Sequence, residues 1–172
     1  MIWNAVFAKQ CTGIRTTTGY NHFRMLFHKL SATSLGIGYI GKGAGTVAAV
    51  VTALVWYGIS TLGYEGFLPA FIATLVIIAL GIWSGNVVEP VWGKDHNRVV
   101  IDEVAGMCIT LLWIPATPLN IFIGLVLFRF FDILKPLFIR KMEALPGGWG
   151  VMFDDILAGI YANIVLQIII RF

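Results

Sequence analysis

Long uncharged runs alternate with short polar segments along the chain. The runs over 43–63 and 67–88 contain no charged residue. Each is long enough to cross about 30 Å of hydrocarbon as a helix that rises about 1.5 Å per residue. Because only the short segment 63–66 separates the two runs, they predict a membrane hairpin.

The next apolar run is interrupted by the sequence "PATP" at 115–118. Proline breaks a helix interior, so two prolines in mid-run predict a turn between two helices. We place these helices at roughly 99–114 and 119–135, and a last helix from near Val151 to residue 170. The predicted fold is therefore all-α, a polytopic helical membrane protein with about five membrane-associated helices.

The first 30 residues do not share this pattern and are interpreted as an N-terminal leader. Residues 23–30, "FRMLFHKL", predict either a short amphipathic helix at the membrane surface or part of a disordered segment. The pattern leaves both possibilities open. Residues 31–172 are predicted to form the membrane domain.

Composition supports lipid as the solvent of this chain. Its 172 residues have a mean hydropathy of +0.85, and 12% are charged, whereas about 25% are charged in a typical soluble domain. The net charge of +3 is modest. We therefore expect a membrane and a lipid as partners, and no nucleic acid; the oligomeric state stays open.

The charged residues also indicate an orientation. With the N-terminus inside, eleven of the twelve Lys and Arg residues lie on the cytoplasmic side, the exception being Arg171. This is the asymmetry that the positive-inside rule describes. It predicts a multi-pass protein of the inner (cytoplasmic) membrane whose polar segments, and any active site on them, face the cytoplasm.

Three polar segments bring carboxylates to that same face. They contribute Asp95, Asp102 and Glu103, then Asp132, then Asp154 and Asp155. Asp102, Glu103, Asp154 and Asp155 are each expected at the start of a helix, where a carboxylate interacts favourably with the helix dipole. Such capping is the simpler explanation for any single acid, but it does not explain why so many converge.

Cations accompany these acids. Arg129, Asp132 and Lys135 follow one another at helical i, i+3 spacing, and Pro136 predicts that the helix ends at Lys135. Clustered carboxylates suit a hard divalent ion such as Mg²⁺, and Arg and Lys suit phosphate oxygens. The pattern predicts metal-assisted phosphoryl chemistry on a lipid headgroup.

A glycine-rich segment precedes the first apolar run. In "GIGYIGKGAGT" (36–46), Gly45 and Thr46 open the predicted helix, whose N-terminus is suited to binding phosphate. Glycine-rich entry loops are also common in membrane proteins for packing reasons. Gly45 and Thr46 are therefore candidate substrate-binding residues on a weak signal.

Three sequence blocks resemble those of the phosphatidylglycerophosphatase A family. They are "DHNRVVIDEVAGM" (95–107), "FRFFDILKPLFI" (128–139) and "GGWGVMFDDILAGI" (147–160), in the family's order. The resemblance implies a Mg²⁺-dependent lipid phosphatase that converts phosphatidylglycerophosphate into phosphatidylglycerol and phosphate.

The resemblance and the acid pattern together give a set of site predictions. The catalytic candidates are Asp95, Asp102, Glu103, Asp132 and Asp155. The metal-binding candidates are Asp102, Glu103, Asp154 and Asp155, and Arg129 and Lys135 are expected to bind phosphate. His96 is a further candidate for proton transfer, and the attacking group is either a carboxylate or a water molecule.

One alternative function is a divalent-cation transporter or channel. That function favours acids near the middle of the membrane spans. Here the acids are predicted at one end of the helices, which favours an enzyme.

Overall fold

The computed structural model describes residues 18–63, 66–93, 96–136, 138–142 and 145–171, and the side chains from residue 22 onward within these ranges. These parts contain helices and no strands. The helices are α1 (Thr18–Ala32), α2 (Ala44–Thr61), α3 (Phe67–Trp92), α4 (Ile101–Leu111), α5 (Pro118–Leu134), α6 (Ile139–Met142) and α7 (Gly148–Arg171), with a 3₁₀ turn at Ile37–Ile40.

The all-α prediction is confirmed, and a helix lies at each of the five predicted positions. Three of the described helices, α2, α3 and α7, are long and apolar enough to cross a membrane, judged by length and composition. Of the other two, α4 is shorter than predicted, with 11 residues, whereas α5 has the predicted length of 17 residues. At about 1.5 Å per residue, α4 reaches only about 16 Å and cannot cross a bilayer alone.

On α2 the small residues face inward and the large apolar residues face outward. On α2 the buried side chains include Ala48, Ala49 and Ala53, whereas Leu54 and Val55 are exposed. In water this distribution would be unfavourable, but in lipid small residues allow close helix packing and large apolar residues contact acyl chains. The packing therefore agrees with the predicted membrane domain.

The helix α7 lies at the centre of the bundle and crosses α4 at close range. A Cβ atom on Gly159 would overlap the carbonyl oxygen of Gly106, and a Cβ on Gly106 would overlap Phe128 and the backbone of Asp155. The two helices can approach this closely only because both positions are glycine. This crossing sets the distance between the acids on α4 and those on α7.

The short helix α4 ends inside the bundle, where its last residues are buried. Asn163 on α7 pairs the carbonyl groups at this end, because its Nδ2 donates to the carbonyl oxygens of Ile109, Thr110 and Leu112 at 2.8–3.1 Å. Gln167 in turn donates to Asn163 Oδ1 at 2.7 Å. Buried backbone groups are thus paired where the helix stops.

The helix α1 covers the segment 23–30 and packs against α3. His28 is fully buried, and its Nδ1 shares a hydrogen bond of 3.2 Å with Ser84 Oγ. The carbonyl of Ala32 accepts from the Val100 N–H at 2.9 Å. The end of α1 is thereby fixed beside the start of α4.

Candidate active site

Three helices bring their charged residues together at one end of the bundle. The helix α4 contributes Asp102 and Glu103 from its first turn, α5 contributes Arg129 and Asp132 from its final turns, and α7 contributes Asp155. At the opposite end, Phe67 at the start of α3 stacks on Trp113 between α4 and α5, with 4.7 Å between ring centroids. The acidic group therefore lies at a bundle end and not at its middle.

The carboxylates of Asp102, Glu103 and Asp155 form a compact group that could hold a metal ion. One oxygen of each lies within 4.8 Å of the others. Asp102 and Asp155 are buried and Glu103 is mostly buried. Like charges this close, away from water, repel strongly unless a proton or a cation lies between them.

Two oxygens of this group have no hydrogen-bond partner among the described residues. They are Asp102 Oδ1 and Glu103 Oε2, and both are buried. Buried carboxylate oxygens without partners are costly, so a cation or a proton at these oxygens would stabilise the site. We call the group of Asp102, Glu103 and Asp155 the carboxylate triad.

The predicted position of two acids at a helix start is wrong. The helix α7 begins at Gly148, so Asp154 and Asp155 lie well inside it and its first turn contains no acid. The start of α7 is instead held by Asn86 of α3, whose Oδ1 accepts from the Gly148 N–H at 2.9 Å. Helix capping therefore cannot explain Asp154 and Asp155.

The predicted row of alternating charges is present at the end of α5. Arg129 Nη1 donates to Asp132 Oδ2, and Lys135 Nζ donates to Asp154 Oδ2 at 2.7 Å. The helix ends at Leu134, as Pro136 predicted, and Lys135 caps it in the left-handed conformation with φ of 44°. The structure thus places Asp154 against Lys135 and outside the carboxylate triad.

Asp132 connects the cations to the triad. Its carboxyl group lies within hydrogen-bond reach of Asp155 and close to Glu103. Arg129 also lies near Glu103, and its Nε is buried without a partner among the described residues. A cationic donor with a free N–H beside a carboxylate group is suited to bind a phosphate oxygen.

Gly45 reaches the site in a way that the sequence did not predict. A Cβ atom at this position would overlap the carboxylate of Glu103, so the N-terminus of α2 already faces an anion of the chain itself. Thr46 is exposed and makes no side-chain hydrogen bond to a described residue. Glycine at 45 therefore allows α4 and α2 to approach.

Two sequence-predicted candidates remain, Asp95 and His96. Asp95 lies outside the described residues. The ring of His96 contacts Trp92 at 5.8 Å between centroids, and its Nδ1 accepts from the Arg98 N–H at 3.2 Å. His96 also borders a small cavity beside Glu89 and Gly148.

The sequence analysis did not single out Asn86, Asn163 or Gln167. The sequence does distinguish two of them, because Asn163 and Gln167 are the only amide side chains in the last apolar run. Polar residues at i, i+4 in an apolar helix often bond to neighbouring helices. Their partners depend on where α4 ends, which the sequence alone did not reveal.

Comparisons with known proteins identify the family of the chain. The profile of the family described as "Phosphatidylglycerophosphatase A" matches residues 30–170. The chain is 38% identical over 144 residues to a "Putative phosphatidylinositol-3-phosphatase" of Bacteroides thetaiotaomicron, which covers 81% of this chain and 91% of that protein. No solved structure matches significantly.

Two further relatives carry the family's own name. A "Phosphatidylglycerophosphatase A" of Haemophilus influenzae is 40% identical over 140 residues, 80% of this chain and 85% of that protein. One of Escherichia coli K12 is 32% identical over 146 residues, 81% of each chain. The chain therefore belongs to the phosphatidylglycerophosphatase A family, whose members are phosphoric monoester hydrolases.

Proposed function

We propose that this protein hydrolyses the terminal phosphomonoester of phosphatidylglycerophosphate, giving phosphatidylglycerol and inorganic phosphate with the help of Mg²⁺. The observation that supports this most is the carboxylate triad, in which Asp102 Oδ1 and Glu103 Oε2 are buried without partners. Family membership supports the phosphatase reaction, and the names of two relatives support this substrate.

The donor atoms of the triad fit a magnesium ion. All three residues offer carboxylate oxygens, which hard divalent cations prefer. Mg²⁺ commonly takes one or two carboxylates together with water and substrate phosphate. When bound, it would neutralise charge on the phosphoryl oxygens. Asp102, Glu103 and Asp155 are the residues proposed to hold it.

The cations beside the triad are proposed to bind the terminal phosphate. Arg129 keeps Nε available while Asp132 holds its Nη1, and Lys135 is oriented by Asp154. Fixed cations at the phosphoryl group stabilise the charge that develops there in the transition state. In the net reaction the P–O bond to glycerol breaks, water supplies the new oxygen on phosphorus, and the glycerol oxygen gains a proton.

The location of the site suits a substrate that stays in the bilayer. The carboxylate triad lies at one end of a bundle in which α2, α3 and α7 are long and apolar enough to cross a membrane, so a headgroup can reach the triad while its acyl chains remain in lipid. The Lys and Arg distribution supports placement of this end on the cytoplasmic side of the inner membrane.

The decisive experiment measures phosphate release by purified protein in lipid nanodiscs. Phosphatidylglycerophosphate, phosphatidylinositol 3-phosphate, phosphatidate and a soluble phosphomonoester are each supplied with Mg²⁺ or with a chelator. We expect the fastest release from phosphatidylglycerophosphate, and loss of release with the chelator.

Phosphatidylinositol 3-phosphate is included because the Bacteroides relative is named for it. Faster release from that lipid would replace the proposed substrate while keeping the lipid phosphatase. Absence of release from every lipid, together with Mg²⁺ flux into protein-containing liposomes, would contradict the proposal and favour the transporter.

A further inference from the structure

The helix α1 presents an apolar stripe outward. Phe23, Leu26, Phe27 and Leu30 follow i, i+3, i+4, i+7 spacing and are all exposed. On the opposite face, His28 is fully buried against α3. A water-exposed helix normally has the reverse arrangement, so this outward face requires an apolar environment.

The outward face of α1 continues the outward face of a candidate membrane span. The ring of Phe27 contacts Trp83 of α3 at 6.2 Å between centroids, and half of the Trp83 surface is exposed. Val91, further along α3, is also exposed. Because α3 is long and apolar enough to cross a membrane, the same acyl chains that cover Trp83 can reach Phe27.

Two cations lie at the end of this surface, where α1 approaches the start of α4. The ammonium of Lys29 lies 5.9 Å from the centre of the Trp92 ring, and the guanidinium of Arg98 lies 6.0 Å from the same ring and 5.5 Å from that of Tyr39. Within the described ranges, no acid forms an ion pair with Lys29 or Arg98. No described acid therefore competes with an external anion for their N–H groups.

Aromatic rings with neighbouring cations are typical of the headgroup region of a bilayer. Tyr39 and Trp92 have apolar ring bodies and polar edges, which suits the boundary between acyl chains and headgroups. An apolar helix face that ends at two cations on aromatic rings matches the two ends of an anionic phospholipid.

We propose that α1 and the Lys29–Arg98 pair bind an anionic phospholipid of the surrounding bilayer. The acyl chains lie along Phe23, Leu26, Phe27 and Leu30, and the headgroup phosphate lies at Lys29 and Arg98. This site uses no residue of the carboxylate triad, and it anchors α1, whose last residue bonds to the segment leading into α4.

The acyl-chain part is tested by cysteine labelling in nanodiscs, in a Cys11→Ser background that keeps the buried Cys108. Leu26→Cys and Leu30→Cys lie on the outward face, and the exposed His22→Cys and Arg24→Cys are matched controls beside it. With a membrane-impermeant maleimide we expect roughly tenfold slower labelling on the outward face, because an apolar environment suppresses the thiolate. Equal rates at all four positions would overturn this part.

The headgroup part is tested by lipid retention. Protein is extracted from nanodiscs of phosphatidylcholine containing a small fraction of phosphatidylserine, and bound lipids are counted by native mass spectrometry. In the double variant Lys29→Gln/Arg98→Gln, we expect phosphatidylserine retention to fall about fivefold for each of the two cations removed. The matched control, Arg140→Gln/Lys141→Gln, removes two exposed cations elsewhere and is expected to retain the lipid.

Two outcomes would contradict the headgroup assignment. One is equal retention in the variant and the control, and the other is full displacement of phosphatidylserine by inorganic phosphate, which would indicate a simple anion site. Phosphatidylserine is neither the proposed substrate nor its product, and neither assay measures hydrolysis. A negative result in either assay would therefore not contradict the proposed phosphatase reaction.

Discussion

The two ends of α4 are both buried and polar, yet they are satisfied in opposite ways. At the C-terminal end, three carbonyl oxygens accept hydrogen bonds from Asn163, which is itself held by Gln167. At the N-terminal end, Asp102 and Glu103 each keep a buried oxygen without a partner among the described residues. One short helix thus carries a completed polar network and an uncompleted one.

The two ends of α4 therefore have different roles: the C-terminal end stabilises the fold, and the N-terminal end carries the candidate active site. A satisfied buried network holds the fold together, and removing a partner costs stability. A group of buried carboxylates without partners destabilises the fold until something binds to it. We therefore expect changes at the C-terminal end to affect stability first, and changes at the N-terminal end to affect activity first.

The largest expected effect is on activity, at the N-terminal end. Asp102→Asn keeps the size of the side chain but removes a charge from the triad, so phosphate release should fall by about 100-fold or more. The midpoint temperature of unfolding in detergent should stay equal or rise, because repulsion among the carboxylates decreases. Both quantities are measured on the same purified sample.

The control for this change is Glu89→Gln, the same carboxyl-to-amide replacement on α3 beside the small cavity and outside the triad. It should leave phosphate release near the wild-type rate. If Asp102→Asn retained full activity, the assignment of the triad as the active site would be wrong.

The second effect is on stability, at the C-terminal end. Asn163→Leu leaves carbonyl oxygens of α4 buried and unpaired, at a cost of about 1–3 kcal/mol for each group that stays unsatisfied. The unfolding midpoint should fall clearly, while each folded molecule keeps most of its phosphate release. Gln167→Leu, which removes only the support for Asn163, should have a smaller effect in the same direction.

The third prediction concerns the crossing that joins the two regions. Gly159→Ala forces α7 away from the Gly106 carbonyl and should cost about 1–3 kcal/mol. Because the same movement shifts Asp155 relative to Asp102, activity should fall as well. Gly58→Ala is the matched control: its Cβ would meet no atom within 4 Å, so it should be neutral or slightly stabilising. If Gly159→Ala kept the wild-type stability and activity, the crossing of α4 and α7 would not determine the geometry of the carboxylate triad.

The smallest effect is a pH dependence of the stability of α1. Burial and the nearby Arg24 lower the pKa of His28, so the folded state favours the neutral ring. The contribution of His28 to the stability of the fold is fully present above the ordinary His pKa of about 6.5. This contribution is lost as the pH falls through the lowered pKa of the folded state.

Hydrogen exchange checks this prediction. The amides of α1 should exchange faster at about pH 5 than at about pH 7, after correction for intrinsic exchange rates. Replacing His28 by Gln keeps a neutral polar side chain beside Ser84 and should remove most of the pH dependence. A pH dependence of equal size in that variant would assign the effect to other groups.

The periodicity and charge of the sequence predict most of the helices and the convergence of the acids. Uncharged runs are long and strong signals, and Pro136 marks the end of α5 correctly. The length of α4 was overestimated, because apolar composition does not reveal that Asn163 ends the helix within the bundle. Tertiary hydrogen bonding, not local preference, decides that boundary.

The chemistry of the site was predictable in kind but not in detail. Asp154 and Asp155 are adjacent in sequence, and nothing local distinguishes them. The structure gives them different partners: Asp154 pairs with Lys135, whereas Asp155 is a member of the carboxylate triad. Gly45 was expected to approach a phosphate but lies against Glu103, a contact that depends on how α2 and α4 pack.

Consecutive residues on a helix point about 100° apart, and this has a consequence for Asp154 and Asp155. Turning α7 about its own axis by that angle would bring Asp154 to the direction that Asp155 now faces and carry Asp155 away from Asp102 and Glu103. The pairing of Gly148 with Asn86 and the tight contact at Gly159 oppose such rotation. Catalysis is thus expected to depend on the axial rotation of this helix, so a substitution that twists α7 would lower activity although every residue of the carboxylate triad is unchanged.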